Sequence, residues 1–98
     1  MSTYALHVMY SALPGKRKAF LDAIAAADIP AQVRAEDGCI RYDYFLSLQN
    51  ETDVLLIEEW ASPEHQQRHM AQPHMALLRQ IKEQYIADST WKRFAMEN

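Results

Sequence analysis

The sequence predicts an α+β domain in which helices cover one face of an antiparallel sheet, with the element order β-α-β-β-α-β. Three observations lead to this prediction. Apolar segments of strand length occur near the start, in the middle and near the end of the chain. Amphipathic stretches with helical spacing lie between them, and proline or glycine stands at their boundaries. The length of 98 residues suits one core, so we expect a single domain over residues 1–98.

The first half of the chain predicts a strand, an interrupted helix and a second strand. Residues 4–10 alternate in the manner of a half-buried strand, and Pro14-Gly15 follows as a turn. Residues 16–27 have helical spacing, and the proline of residues 28–30 should break that helix before a short continuation to about Arg34. Residues 39–47 predict the second strand. One face of it carries Ile40, Tyr42, Tyr44 and Leu46.

The second half predicts a third strand, two helices and a fourth strand. Residues 54–57 are a short apolar run, and strand alternation places Glu58 and Trp60 on the same face as Val54. Ser62-Pro63-Glu64 is typical of a helix start. A further helix is expected from about 73 to 85, and residues 89–95 should form the last strand. The predicted buried stripe of the helix at 73–85 is Leu77, Leu78, Ile81 and Tyr85. The order of elements is the ferredoxin-like arrangement.

Composition argues against several classes of protein. The formal charge of −3 gives no electrostatic support for binding to nucleic acid or to an anionic membrane. No apolar run approaches the roughly 20 residues that span a bilayer, and the N-terminus lacks the pattern of a signal peptide. A single Cys39 excludes an intramolecular disulfide and a cysteine-rich metal site. We therefore expect a cytoplasmic protein without nucleic-acid or membrane partners.

The predicted third strand also bears on assembly. Both of its faces are apolar, yet the helices of one chain can cover only one of them. The simplest cover for the other face is the sheet of a second copy, so we expect a homodimer that packs sheet against sheet. A monomer with both faces covered is the alternative, and the small number of elements disfavours it.

Four short motifs occur in one order along nearly the whole chain. They are Pro14-Gly15-Lys16, the segment Gly38-Cys39-Ile40-Arg41-Tyr42-Asp43, the strand end Glu58-Glu59-Trp60, and His69-Met70-Ala71-Gln72-Pro73-His74. With them the chain resembles the antibiotic-biosynthesis monooxygenase (ABM) family, whose members are small ferredoxin-like dimers forming an α/β barrel. The resemblance implies a cofactor-independent oxidoreductase, similar to quinol monooxygenases, that uses neither metal nor flavin to oxidise a quinol or related electron-rich aromatic with molecular oxygen.

Such chemistry needs a base, an apolar pocket and donors for a developing anion. His69 is the first candidate for the base, because it lies in the family motif and histidine titrates near neutral pH; a partly exposed surface histidine is the alternative. Glu58 shares a face with apolar residues and therefore needs a partner. It would orient the base or accept a proton itself, or else form a salt bridge with an arginine such as Arg41 or Arg79. Trp60 is the third candidate catalytic residue, as a pocket wall with an N–H donor.

Three further residues are candidates for substrate binding. Tyr42 and Tyr44 could line an aromatic pocket, with plain core packing as the alternative, and His74 could accept a proton or cap its helix. His65 and His69 have the i,i+4 spacing of zinc ligands, but no third ligand is evident, so we predict no metal site. Two other functions stay open. One is an isomerase acting on a small phosphorylated or carbonyl compound, and the other is a non-catalytic dimeric module that binds a small molecule.

Overall fold

Four strands form one antiparallel sheet in the computed structural model, which describes residues 2–97. The strands are β1 (Ser2–Ala12), β2 (Cys39–Leu46), β3 (Asp53–Trp60) and β4 (Ile86–Glu97). Their spatial order is β2-β3-β1-β4, and every neighbouring pair is antiparallel. The predicted α+β, ferredoxin-like fold class is confirmed.

Four helices complete the fold: α1 (Arg17–Ala26), α2 (Ile29–Arg34), α3 (Pro63–Met70) and α4 (Pro73–Tyr85). The predicted break between α1 and α2 is confirmed, since Asp28 adopts the left-handed conformation with φ 58°. The predicted start of α3 is confirmed as well. There the Ser62 hydroxyl accepts a hydrogen bond from the backbone N–H of His65, which supplies one of the missing partners at the helix start. No helix within residues 2–97 is long and apolar enough to cross a membrane.

The helices bury one face of the sheet, and β3 is one of the two central strands of that sheet. Its residues alternate as predicted: every second one, from Val54 to Trp60, is buried, and those between are half-buried. Phe20 and Ile24 of α1, Val33 of α2 and Leu78 of α4 join them in the core. Apolar burial of this kind is the main stabilising contribution in a domain of this size.

Two predicted faces were wrong in part. Ile40 is 54% exposed because the pairing of β2 with β3 shifts register between Cys39 and Arg41. The extra residue of this β-bulge turns Ile40 away from Tyr42, and alternation resumes afterwards. On α4, Leu77 is 41% exposed, and Met75 is buried in its place with Leu78 and Ile81. The helix therefore lies rotated relative to the predicted stripe.

The far side of the sheet carries apolar side chains that no helix of this chain covers. Strand β4 starts directly after Tyr85, three residues earlier than predicted, and is an exposed edge strand beyond Ile86. Pairing with β1 places Phe94 opposite Ala5 and Met96 opposite Thr3, on the face away from the helices. Phe94 and Met96 are among the exposed large apolar residues, and Met9 and Phe45 share that face with them.

Candidate active site

A row of four side chains crosses the helix-covered face of the sheet. Strand register places Tyr42 of β2 opposite Glu58 of β3, Glu58 opposite Leu6 of β1, and Leu6 opposite Arg93 of β4. Opposed residues in antiparallel strands point to the same side, so all four face the helices. The row thus joins a phenol, a carboxylate, an apolar side chain and a guanidinium within one layer.

A cavity of about 230 Å³ lies over this row, beneath α3 and α4. All four residues of the row line it. Its apolar wall also includes Val8, Met70, Met75, Leu78 and Trp91. Protein pockets for small molecules have this make-up, with a few polar groups set in an apolar wall. For scale, an apolar cavity of about 150 Å³ accepts benzene.

Glu58 is the carboxylate of this cavity, and it is only 7% exposed. Its Oε1 accepts a hydrogen bond from the indole Nε1 of Trp60 at 3.0 Å and lies 3.8 Å from Nε2 of His69. Its other oxygen, Oε2, forms no hydrogen bond within residues 2–97, and no side-chain oxygen or nitrogen in that range is both buried and unpaired. Oε2 is therefore the oxygen that the cavity can reach.

Burial raises the pKa of Glu58 above its usual range. The Trp60 hydrogen bond and the nearby His69 and Lys82 oppose this effect in part. A carboxylate is a stronger base when its charge is poorly solvated, so the environment of Glu58 favours proton acceptance. The predicted alternative, a salt bridge to Arg41 or Arg79, does not form within residues 2–97; Arg41 pairs instead with Asp43 at 2.9 Å.

His69 lies one layer behind Glu58 and is 1% exposed. Its ring packs on Trp60, with centroids 4.6 Å apart, and its Nδ1 donates to Oε2 of Glu36 at 2.8 Å. Because Nδ1 donates to a carboxylate, Nε2 is free to accept or carry a proton on the side of Glu58. His69 is thus no exposed surface residue. Neither it nor Trp60 is among the described residues that line the cavity.

Glu36 holds two histidines together, and no pattern in the sequence selects it as a site residue. Its Oε2 accepts from His69 and also from Nε2 of His74, at 2.7 Å. Glu36 stands in the connection between α2 and β2, 33 positions before His69, so no helical or strand period links the two. The local sequence Glu36-Asp37-Gly38 predicts a turn, but it does not indicate which residue the Glu36 side chain contacts.

The ligand atoms of Glu36, His69 and His74 lie within 4.8 Å of one another, but their spacing does not fit a shared cation. The carboxylate oxygen is 2.8 and 2.7 Å from the two nitrogens, which are hydrogen-bond distances. Two ligands bound to tetrahedral Zn²⁺ at about 2.1 Å would stand roughly 3.4 Å apart. Both N–H protons would also have to leave. We therefore interpret the three residues as a hydrogen-bonded network.

His65 is separate from this network. The Ser62 hydroxyl lies 2.7 Å from its Nδ1, and its ring packs over Gly38, whose φ is +80°. The i,i+4 pair of His65 and His69 therefore does not converge on one point. Cys39 is half-buried, and burial raises the pKa of its thiol to about 11, which makes it a poor nucleophile at neutral pH.

The predicted substrate-binding residues fall in different places. Tyr42 lines the cavity, and its hydroxyl lies 3.1 Å from that of Tyr44. Burial raises the pKa of both phenols, that of Tyr44 to about 12, so both stay protonated and can donate. His74 lies on the far side of His69 from Glu58, in the Glu36 network.

Lys82 is a further cavity residue, and it is not among the residues predicted from the sequence. Lys82 follows Met75 and Leu78 by seven and four positions on α4, so all three share the face that meets the sheet. Its Nζ lies 5.5 Å from the centre of the Tyr10 ring, which also lines the cavity. A charged residue on an otherwise apolar helix face was the signal that could have found it.

Several solved structures share this fold. They include the Pseudomonas aeruginosa protein PA3566, with 21% identity, a TM-score of 0.88 and coverage of 100% of this chain and 97% of that one. The Mycobacterium tuberculosis protein Rv0793 has 23% identity and a TM-score of 0.85 over 99% and 97% of the two chains. A Nitrosomonas europaea protein, provisionally described as an antibiotic biosynthesis monooxygenase, has 21% identity and a TM-score of 0.87 over 95% and 88%.

Identities at this level establish the shared fold alone. A comparison with curated proteins found no match. A family model gives the more specific result, because it matches residues 3–80 and so takes in β1 to β3, the intervening helices and most of α4. Glu36, Glu58, Trp60 and His69 all lie within the matched region. This chain belongs to the antibiotic biosynthesis monooxygenase family.

Proposed function

We propose that the protein is a cofactor-independent monooxygenase that oxidises a quinol or a related electron-rich aromatic in the cavity over Glu58. The observation that carries this proposal is the position of one carboxylate. Glu58 is buried, has a raised pKa, presents a free oxygen to a small apolar cavity and has His69 directly behind it. Family membership supports the class of reaction.

The proposed reaction begins with removal of a proton from the hydroxyl of the substrate. A quinol anion gives up electrons to oxygen far more readily than the neutral quinol, so a base is the main contribution that the protein has to make. For a simple quinol the balanced reaction is quinol plus O₂ giving hydroxyquinone plus water. One oxygen atom joins a ring carbon, the other leaves as water, and the substrate supplies all four electrons.

In this proposal Glu58 Oε2 accepts the proton and His69 acts through Glu58. The 3.8 Å between His69 Nε2 and Glu58 Oε1 is longer than a hydrogen bond, so a small movement of either side chain would close it. Glu36 keeps the His69 ring oriented by accepting from Nδ1. Trp60 fixes Glu58, and the Tyr42 hydroxyl stands at the cavity wall as a donor for a developing oxyanion.

A homodimer is a further part of the proposal. The outer face of the sheet supports it, because Met9, Phe45, Phe94 and Met96 are all substantially exposed there. Contiguous exposed apolar surface is typical of protein contacts, and a second sheet would bury all four side chains at once. The half-buried Leu55 and Ile57 of β3 lie between them.

One observation favours a second candidate function, an isomerase. Lys82 and Arg93 line the same cavity as Glu58, and cations of this kind would bind a phosphorylated or carbonyl substrate while Glu58 moves a proton. A non-catalytic binding module would use the same cavity without turnover.

Oxygen consumption and product mass distinguish the three. In metal-chelated buffer under ¹⁸O₂, the monooxygenase should consume oxygen with hydroquinones and place one labelled atom in the product. His69→Ala should lose most of this activity, whereas His7→Ala, on the opposite face of the sheet, should keep it. Product isomerised without oxygen uptake would favour the isomerase. Binding without any product would favour the module.

A further inference from the structure

Two cations of the cavity form neither a salt bridge nor a hydrogen bond in the part of the chain that the structure describes. Lys82 and Arg93 both line the cavity, and within residues 2–97 neither lies within 4.0 Å of a carboxylate or forms a hydrogen bond. Arg34 differs from them, because it donates to the backbone oxygen of Tyr42 at 2.8 Å. Lys82 and Arg93 are therefore available to a ligand.

Strand register sets where these cations stand relative to Glu58. Leu6 of β1 pairs with Glu58 of β3 on one side and with Arg93 of β4 on the other, so the three residues lie in one row across the sheet. Neighbouring strands are about 4.8 Å apart, so the backbones of Glu58 and Arg93 are separated by roughly 10 Å. Leu6 forms the apolar floor between them. A single aromatic ring lying on Leu6 would have one edge toward Glu58 and the other toward Arg93.

Lys82 approaches the Arg93 side from the helix layer. It follows Leu78 by one turn of α4, and its Nζ lies over Tyr10, whose strand neighbour on β4 is Ser89. Ser89, Trp91 and Arg93 are the β4 residues that line the cavity. Burial lowers the pKa of Lys82, the nearby Arg79 adds to this effect, and Glu58 opposes it only in part, so the ammonium is incompletely compensated. An anion bound there would restore a favourable environment.

We propose that the substrate carries a carboxylate on the side of the ring opposite its reacting hydroxyl, and that Lys82 and Arg93 bind this carboxylate. The inference rests on the proposed function in one respect, since it takes Glu58 as the end that receives the hydroxyl. It deepens that function by naming a class of substrate, the hydroxylated aromatic acids. Charge-assisted hydrogen bonds from a lysine and an arginine would supply both affinity and orientation.

A binding experiment tests this without requiring turnover. The probes are 4-hydroxybenzoate and its neutral analogue 4-hydroxybenzamide, and their binding to the 98-residue protein is measured by calorimetry. The wild-type protein should bind the acid at least roughly tenfold more tightly than the amide. Arg93→Gln and Lys82→Met should each remove most of this preference, and Lys82→Met keeps the aliphatic part of the side chain that packs in the cavity.

Lys92→Gln is the matched control, because Lys92 is the neighbour of Arg93 on β4 but pairs with His7 on the opposite face. It should keep the wild-type preference. Equal binding of acid and amide, no binding of either, or a preference that survives both cavity variants would overturn the inference. The proposed function can fail independently: a preference for the acid without oxygen uptake from any quinol would contradict the monooxygenase alone. Oxygen uptake from neutral hydroquinone without a preference for the acid would contradict the carboxylate site alone.

Discussion

The indole nitrogen of Trp60 donates to Oε1 of Glu58 at 3.0 Å, although the two residues are separated by a single position on β3. Strand alternation turns both inward, and Glu59 between them turns to the other face. The hydrogen bond occupies one carboxylate oxygen and leaves the other for the cavity. Local strand geometry is therefore sufficient to aim the proposed proton acceptor.

Replacement of Glu58 by glutamine should make the folded protein more stable at neutral pH. Burial raises the pKa of Glu58 in the folded state, so the ionised carboxylate costs stability above that pKa, and the cost disappears as the pH falls through it. Glutamine removes the charge and keeps an acceptor for Trp60. We expect Glu58→Gln to raise the free energy of unfolding at pH 7 by on the order of 1 kcal/mol.

Urea denaturation at pH 7 and at pH 4 measures this effect. The difference between the wild-type protein and Glu58→Gln should shrink at the lower pH, where the wild-type carboxyl group is itself protonated. A variant that is less stable than the wild-type protein at pH 7 would show that the ionised carboxylate is well solvated or well paired.

Loss of the Glu36 carboxylate should destabilise the protein through His69. In Glu36→Ala the Nδ1–H of a buried histidine loses its acceptor, and a buried donor without a partner costs about 1–3 kcal/mol. Glu36→Gln keeps an oxygen acceptor and should lose less. Asp37→Ala is the control, because the Asp37 side chain is 85% exposed and lies 3.5 Å from His65. Its free energy of unfolding should differ from that of the wild-type protein by less than about 0.5 kcal/mol. Equal stability of the Glu36→Ala and Asp37→Ala variants would argue against this role of Glu36.

Gly38 and Gly15 offer a comparison that separates backbone strain from collision. Both have positive φ, +80° and +74°, so alanine at either position costs about 1–2 kcal/mol of backbone strain. Only at Gly38 would the new Cβ collide with the His65 ring, whereas nothing lies near it at Gly15. In denaturation experiments, the free energy of unfolding of Gly38→Ala should fall by about 1–3 kcal/mol more than that of Gly15→Ala. Equal losses would mean that His65 moves aside freely.

Much of this architecture was predictable because its signals are local. The alternation of β3 identified Glu58 and Trp60, and the helix start at Ser62 located His69. Glu36 was beyond such reasoning, because its contact with His69 joins a loop to a helix through the fold. The exposure of Ile40 depends on one extra residue in the pairing of β2 with β3, which neither strand shows on its own.

An acidic residue on the outer face of the sheet should dissociate the proposed dimer. Phe94 is 38% exposed there, and a second sheet would bury it, so Phe94→Glu would place an unpaired charge in the interface. Sedimentation at micromolar concentration should give a dimer for the wild-type protein and a monomer for Phe94→Glu. Leu77→Glu, at a similarly exposed position on α4, should stay dimeric. A monomeric wild-type protein at this concentration would contradict the proposed assembly.

The most direct test compares two neighbouring glutamates of β3 by oxygen uptake with a hydroquinone that the wild-type protein oxidises, in metal-chelated buffer. Glu58 faces the cavity, whereas Glu59 faces the other side of the sheet, so Glu58→Gln and Glu59→Gln make the same chemical change on opposite faces. We predict that kcat of Glu58→Gln falls at least about a hundredfold, because a positioned base typically contributes that much or more to the rate. Glu59→Gln should keep wild-type activity. Full activity in Glu58→Gln would contradict the account.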